Sequence, residues 1–494
     1  MPYSIHRAAV LGAGVMGSRV AAHLANAGVP TFLLDIVPSE LTGEEKRAGL
    51  GLDSPKVRNR IVMTGLEAAK KSKPAAFFVP AYAEWITAGN FEDNLDWVAQ
   101  ADWVIEAVAE NLEIKRSLLA RVDRLRRPGA IVSTNTSGLP VNLIAEGRSE
   151  DFRRHWLGTH FFNPPRYLHL LEMIPGRDTL PEVLDAISDF ADRRLGKGVI
   201  LAKDTPNFIA NRIGTFSMVN LIRVMQEEGL TVEEVDALTG PAIGMPKTAT
   251  FRLLDLVGLD TVAQVIRNIH QNAPQDERRD YYRVPPFMEE MLKRNWMGDK
   301  AGQGFYQKVK KDDESEILAL DLSSLEYRPQ QRPKFAVLEM AKNLDDPAER
   351  LRLVMNSEDR AGRFAWKTMS EVFVYAANRL PEISERIIEI DRSMKWGFAW
   401  EMGLFEMWDA LGVQAAVKRL EKEGRAVPDN VQRMLATGAT SFYRRRNGRT
   451  EYFDFGAGSY QVLEQPPGII LLAAEKDRSR LIKKNPGASL IDLG

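Results

Sequence analysis

The sequence predicts an α/β domain built on a parallel sheet, then two copies of an all-α domain, and a small β-containing segment at the C-terminus. Three observations predict it. Residues 8–35 read as strand, glycine turn, helix, strand and acid in one unit. Beyond about residue 200 strand signals thin out and helix-like patterns take over. Finally, FRLLDLVG at 251–258 returns as FEMWDALG at 405–412, the mark of an internal repeat.

The first unit reads AAVLGAGVMGSRVAAHLANAGVPTFLLD. Each part has a physical task. Gly12 permits a tight turn, Gly14 lets backbone approach a pyrophosphate, and Gly17 lets the helix pack close to the strand. Val15 and Met16 complete the turn that faces the cofactor. The free N–H groups and positive dipole end of the helix then favour phosphate. Asp35 ends the second strand, where a carboxylate accepts from ribose hydroxyls and repels a 2′-phosphate, so NAD is expected rather than NADP. This is the fingerprint of a Rossmann domain.

Further apolar runs at 103–108 and 130–133 extend the parallel sheet. Between Asp35 and Trp103 the chain is too long for one crossover. The charged stretches 44–60 and 66–73 read as a helical insert, followed by a Pro/Ala/Phe loop to Asn90. In the second half the repeat keeps its flanks. Glu234-Val235-Asp236 matches Glu389-Ile390-Asp391 upstream, and Met291-Leu292 and Phe305-Tyr306 match Met434-Leu435 and Phe442-Tyr443 downstream. Residues 308–334 are polar and charged and read as a linker. The expected organisation is a Rossmann domain with a helical insert (1–200), a helical domain (201–310), a linker (311–350), a degenerate second copy (351–445) and a short β-rich tail (446–494).

Composition excludes several classes. The chain has 494 residues, 44% hydrophobic and 27% charged, with 66 basic against 67 acidic side chains, as expected of a globular protein of several domains. A net charge of −1 gives no general attraction to nucleic acid or to an anionic membrane. Cysteine is absent, which removes disulfides, thiol nucleophiles and Cys-ligated metal; no metal site is expected. The longest apolar runs, such as 468–474, are too short to span a bilayer. The N-terminus runs into the first strand without a signal peptide, so a cytoplasmic location is expected. The last residues, 488–494, read like a new strand cut short.

Of six histidines, only His160 has a suggestive context: GTHFFNPPRYLHLLEMI at 158–174. Two strand-like runs flank a Pro-Pro-Arg turn, so a hairpin brings His160 and Glu172 together. An imidazole held by a carboxylate is fixed in one tautomer and its cation is stabilised, as alcohol oxidation beside a nicotinamide requires. On spacing alone, a hydrogen-bonded structural histidine near a turn fits as well.

The motifs GAGVMG, EAVAEN at 106–111, NTSG at 135–138, HFFNPP at 160–165 and KDTPNFIANR at 203–212 occur in this order. Together they resemble the L-3-hydroxyacyl-CoA dehydrogenase family over roughly residues 5–310. The remainder is similar to the dehydrogenase portion of bacterial multifunctional fatty acid β-oxidation enzymes, which fuse this activity to an enoyl-CoA hydratase. The resemblance implies helical domains like the C-terminal domain of 6-phosphogluconate dehydrogenase. It also implies an acyl-CoA substrate, NAD as cofactor, and a fused or separate enoyl-CoA hydratase and a thiolase as partners. Residue by residue, it implies His160 as catalytic acid/base with Glu172 as its partner, and Ser137, Asn163 and Asn211 around the substrate. Ala107, Glu110, Lys115 and Asn135 fall where the family approaches the cofactor. Lys70, Lys71 and Lys73 fall where a helical hairpin covers the CoA moiety, although a solvated helix end explains them more simply. The second helical copy has Trp366 or Lys367 at the Asn211 position, which implies a non-catalytic copy covering the face that a dimer partner covers in single-copy relatives. Two rival readings are a β-hydroxyacid dehydrogenase acting on a non-CoA substrate and a non-catalytic acyl-CoA-binding or assembly module. The first would rely on a lysine in place of the His/Glu pair.

Overall fold

The computed structural model describes residues 3–311, 314–464, 472, 481–485 and 488–493. Contacts cluster into two units: Met1–Arg212 with Trp396–Phe398, and Ile213–Lys395 with Ala399–Gly494.

The first unit carries the strands β1 (Ala8–Leu11), β2 (Thr31–Asp35), β3 (Ile86–Asn90), β4 (Trp103–Glu106), β5 (Ile131–Thr134), β6 (Trp156–Phe161), β7 (Leu170–Pro175) and β8 (Gly198–Leu201). They form one eight-stranded sheet in the order β3-β2-β1-β4-β5-β6-β7-β8. The pairing is parallel from β3 to β6, antiparallel between β6 and β7, and parallel again to β8. All four residues of β1, β4 and β5 are buried, as a parallel sheet covered on both faces demands. Val20 and Leu24 of the first helix, Val15–Asn26, and Val183 and Ile187 of the helix Pro181–Leu195 belong to the core cluster that holds Val10 and Leu33. The strand order turns back at β1 and β4, and a sheet of this kind opens its crevice at that point, at the carboxyl ends of the strands.

The stretch between β2 and β4 corrects one expectation. The insert does contain helices, Gly43–Arg47, Pro55–Arg58 and Arg60–Lys70. Residues 86–90, however, are not loop: they are β3, an edge strand in register with β2 from Thr31↔Ile86 to Asp35↔Asn90. Gly89 and Asn90 have low strand propensity, and an edge position tolerates them. The Asn90 amide then closes the strand by accepting from the backbone N–H groups of Glu92 and Asp93.

His23, on the first helix, is 6% exposed. Burial, with the nearby Lys197 charge adding to it, pushes its imidazole down to about 3. The neutral ring is therefore favoured in the folded state. Its contribution is complete above the ordinary histidine value and is lost as pH falls from 6.5 towards 3. Between pH 7.5 and 5 the wild type should lose about 2 kcal/mol more stability than His23→Gln in urea unfolding. Equal losses in the two proteins would remove His23 from the acid sensitivity.

In the second unit the repeat is visible bond for bond. Asp236 accepts from the N–H of Phe251 (2.6 Å) and Arg252 (3.2 Å), and Asp391 accepts from Phe405 (2.8 Å) and Glu406 (3.2 Å). Asp255 accepts from Phe305 and Tyr306 at 2.8 and 2.9 Å; Asp409 accepts from Phe442 and Tyr443 at 2.7 and 2.8 Å. Gly258 and Gly412 each join two helices with φ of 96° and 84°, a conformation other residues rarely adopt. The copies pack through Phe216, whose ring stacks on Tyr375 at 3.8 Å, and through Tyr282, whose hydroxyl donates to that of Tyr375 at 2.8 Å. The helices Ala210–Glu228 and Arg360–Asn378 have equal length, and counted from their first residues Ala361 takes the position of Asn211. Trp366 and Lys367 lie further along, because the connection after the second helix is longer (379–386 against 229–231). Neither alignment restores an asparagine.

The expected linker is also corrected. Tyr306–Lys311, Glu314–Asp321 and Glu326–Pro329 form a three-stranded antiparallel sheet, followed by the helices Ala336–Ala341 and Pro347–Met355. Among the described residues, little of this sheet is buried beyond Ala319 and Leu320, so its strands lack the apolar alternation that marks a covered face. The tail carries a second three-stranded sheet, Tyr443–Arg446, Arg449–Asp454 and Ser459–Val462, and a pair, Leu481–Lys484 with Ser489–Ile491. Apart from Leu472, the apolar run 468–474 lies outside the described residues. Among the described residues, no helix is long and apolar enough to cross a membrane.

Candidate functional site

β6 and β7 pair antiparallel with His160 directly opposite Glu172. Cross-strand neighbours project to the same face, and here they meet: His160 Nδ1 lies 2.7 Å from Glu172 Oε2. The two residues are 4% and 0% exposed. A carboxylate can only accept, so Nδ1 carries a proton, and in the neutral ring the lone pair is then on Nε2. The second carboxylate oxygen accepts from the N–H of Ile209 at 3.1 Å and of Ala210 at 2.8 Å, where the helix Ala210–Glu228 begins. A buried carboxylate is costly unless it is satisfied; three N–H donors satisfy this one. The rings of Phe162 and Phe208 lie 4.5 and 5.7 Å from the imidazole and wall it from the sides.

The other expected residues surround this pair unevenly. Ser137 follows the carboxyl end of β5 and is half-buried, with its N–H donated to Glu110. Asn135 Oδ1 accepts from the N–H of Phe161, tying the end of β5 to the residue after His160. Glu110 collects Thr136 Oγ1 at 2.6 Å, Ser137 N–H at 3.0 Å and Gly138 N–H at 3.2 Å. Burial opposes its charge, but Lys115 and these donors outweigh it and hold its carboxyl below the usual range. Asn211 is the second residue of its helix and half-buried. Asn163 is exposed, and its Oδ1 accepts from Arg19 of the first helix. Lys115 is placed differently from expectation. It is 1% exposed, with Nζ 2.8 Å from Glu106 and 3.3 Å from Glu110. A cation committed to two carboxylates serves to hold Glu110 and offers no surface to a ribose. Lys70 pairs with Glu67 at 2.7 Å, and Lys71 and Lys73 face water.

The glycine turn sits at the carboxyl end of β1, beside the segment that follows β4. A Cβ on Gly12, at φ 103°, would lie 2.5 Å from the Ala107 carbonyl oxygen, and one on Gly17 would lie 1.8 Å from that of Gly12. Both close approaches demand glycine. Gly14 differs: nothing lies within 4 Å of its missing Cβ.

The family profile described as 3-hydroxyacyl-CoA dehydrogenase, NAD binding domain, matches residues 7–205, and that of the C-terminal domain matches residues 208–308. A probable 3-hydroxyacyl-CoA dehydrogenase of Deinococcus radiodurans is 47% identical over 306 residues, covering 62% of this chain and 84% of the relative. The chain belongs to the 3-hydroxyacyl-CoA dehydrogenase family. A probable 3-hydroxyacyl-CoA dehydrogenase of Bacillus subtilis is 48% identical over 490 residues, 99% of this chain, and this chain spans 61% of the length of that relative. The crystal structure of 3-hydroxybutyryl-CoA dehydrogenase from Escherichia coli superimposes with a TM-score of 0.62 at 21% identity, covering 88% of this chain and 99% of that one, a likeness of fold.

For a family with an NAD binding domain, the turn residues fit the cofactor. Gly14 leaves open space where a pyrophosphate needs backbone, and no side chain caps the first turn of the helix it starts. Val15 is 63% exposed and Met16 half-buried, so the turn presents itself outward. Asp35 accepts one backbone N–H on each oxygen, from Ala13 and Ile36 at 2.6 Å. A lone pair on each remains for a ribose hydroxyl. Three contributors escape sequence reasoning. The N–H groups of Ile209 and Ala210 carry no sequence signal. Lys197, 2% exposed, has Nζ 2.7 Å from Leu168 O and also bonded to Pro165 O, clamping the hairpin loop; burial pushes its ammonium down to about 8. Gly65 packs its helix onto the glycine turn, since a Cβ there would lie 2.0 Å from Ala13 O. A glycine in a helix interior is costly, and that was the available signal.

Proposed function

We propose that the chain oxidises (S)-3-hydroxyacyl-CoA to 3-oxoacyl-CoA with NAD, and runs in reverse when NADH is plentiful. The observation that carries this reading is the buried His160–Glu172 pair on the sheet that also bears the glycine turn. Gly12, Gly14, Val15, Met16, Gly17 and Ala107 hold NAD at the turn, Asp35 takes its ribose, and Glu110 and Asn135 border its other end. NAD supplies the hydride acceptor. His160 Nε2 removes the proton of the 3-hydroxyl, and Glu172 holds the resulting imidazolium. Ser137 and Asn211 hydrogen-bond the 3-oxygen, where charge develops. Asn163 shapes the hairpin edge of the site. Residues 1–310 carry the chemistry, and the copy at 351–445 carries none, since Ala361 stands where Asn211 would be needed.

Chemistry also names the neighbours. A 3-hydroxyacyl-CoA is the product of enoyl-CoA hydration, and a 3-oxoacyl-CoA is the substrate of thiolysis, so a hydratase and a thiolase flank this step in the cytoplasm.

The test is NADH absorbance with acetoacetyl-CoA. NADH should be consumed with the thioester and not with free acetoacetate; activity on the free acid alone would overturn the reading. In the same assay Asp35→Ala should weaken NADH about tenfold or more, as loss of a charged hydrogen bond does, and should relax discrimination against NADPH. An unchanged cofactor preference would take Asp35 out of the ribose site.

A further inference from the structure

Asn207 and Phe208 both stand in the left-handed backbone region, with φ of 62° and 53°. Asparagine tolerates that region, whereas for a bulky side chain it is a real outlier. Neither residue sits in an open turn: they are 1% and 0% exposed. Asn207 Oδ1 is moreover buried without a hydrogen-bond partner. Such strain persists only where the surroundings over-determine it, and it gathers at functional sites.

What the turn achieves can be followed atom by atom. Phe208 N–H closes back onto Thr205 O at 3.0 Å. The next two N–H groups, of Ile209 and Ala210, then point at Glu172 Oε1. The same turn lays the Phe208 ring against His160, and Asn211 comes one residue later. A relaxed, right-handed backbone at 207–208 would redirect all of these groups together.

We infer that the left-handed turn at Asn207–Phe208 is the positioning device of the His160–Glu172 pair, and that Asn207 sets it through its backbone conformation and not through its amide. The kinetic consequence rests on the dehydrogenase reading; the geometric consequence does not.

The experiment compares Asn207→Gly, Asn207→Ala and Asn207→Val in the full chain. Glycine adopts the turn freely, alanine less so, and a β-branched valine resists it. Asn207→Gly should keep kcat within about threefold, while Asn207→Val should lower kcat at least about tenfold, as misplacement of catalytic groups does, with KM for NADH unchanged. Without substrate, the Ile209 and Ala210 amides should exchange with deuterium at least about tenfold faster in Asn207→Val and at the wild-type rate in Asn207→Gly. The inference is overturned if folded Asn207→Val keeps wild-type turnover or slow exchange at these amides. It is also overturned if Asn207→Gly falls as far as Asn207→Val. Should the valine variant not fold, Asn207→Ala decides by the same criteria. If the wild type does not turn over acetoacetyl-CoA, the functional reading fails, and the exchange measurement still decides the positioning.

Discussion

His160→Gln is expected to lower kcat by about a thousandfold, within the range that general-base assistance supplies, while the dissociation constant for NADH stays within about twofold. The substitution keeps an amide of similar reach that can still donate to Glu172, so the buried carboxylate is not stranded. What it removes is the basic lone pair on Nε2. The glycine turn and Asp35 lie at the carboxyl ends of β1 and β2, with β4 and β5 between these strands and β6, so cofactor binding has no reason to change. Pre-steady-state hydride transfer and NADH fluorescence titration read the two quantities separately. Near wild-type turnover in this variant would remove the imidazole from the chemistry and favour a structural histidine at this turn.

The second large effect concerns the copy without chemistry. Deleting residues 350–494 strips the partner from Phe216 and Tyr282, which are 0% and 1% exposed in the whole chain. It also removes Thr368, whose carbonyl accepts from the buried Asn220 amide at 3.0 Å. Each large side chain returned to water costs about 1.5–3 kcal/mol, while the bared Asn220 amide merely exchanges its carbonyl partner for water. Against a typical total of about 5–15 kcal/mol, several such losses are decisive. The shortened chain should aggregate, or pair with itself through the bared face, as read by light scattering after size exclusion. A monodisperse monomer would count against the covering role of the second copy.

The nucleotide turn, the hairpin and the repeat were legible because each depends on local rules. Gly12, Gly14 and Gly17 announce backbone approach, a Pro-Pro turn between apolar runs announces a hairpin, and the matched positions Asp236/Asp255 and Asp391/Asp409 announce a repeat. The hairpin implied that His160 and Glu172 meet, and the register that sets them directly opposite is a feature of the structure. What stayed hidden depends on contacts far apart in sequence or on surfaces with little apolar contrast. β3 is short, holds a glycine and lies at an edge. The sheet at 306–329 is mostly solvated and reads as linker. Lys115 matched a motif position, yet only its burial between Glu106 and Glu110 reveals that it acts on other side chains. The backbone donors to Glu172 could not be read at all, since every residue but proline carries one.

The stacking of Phe216 on Tyr375 joins two related surfaces that are covalently one molecule. Dilution cannot separate them, because tethering fixes their effective concentration. A substitution at either ring also enters the interface once, where in an assembly of identical subunits it would enter twice. The two halves are therefore free to drift apart in sequence, and the half relieved of chemistry can specialise entirely in adhesion.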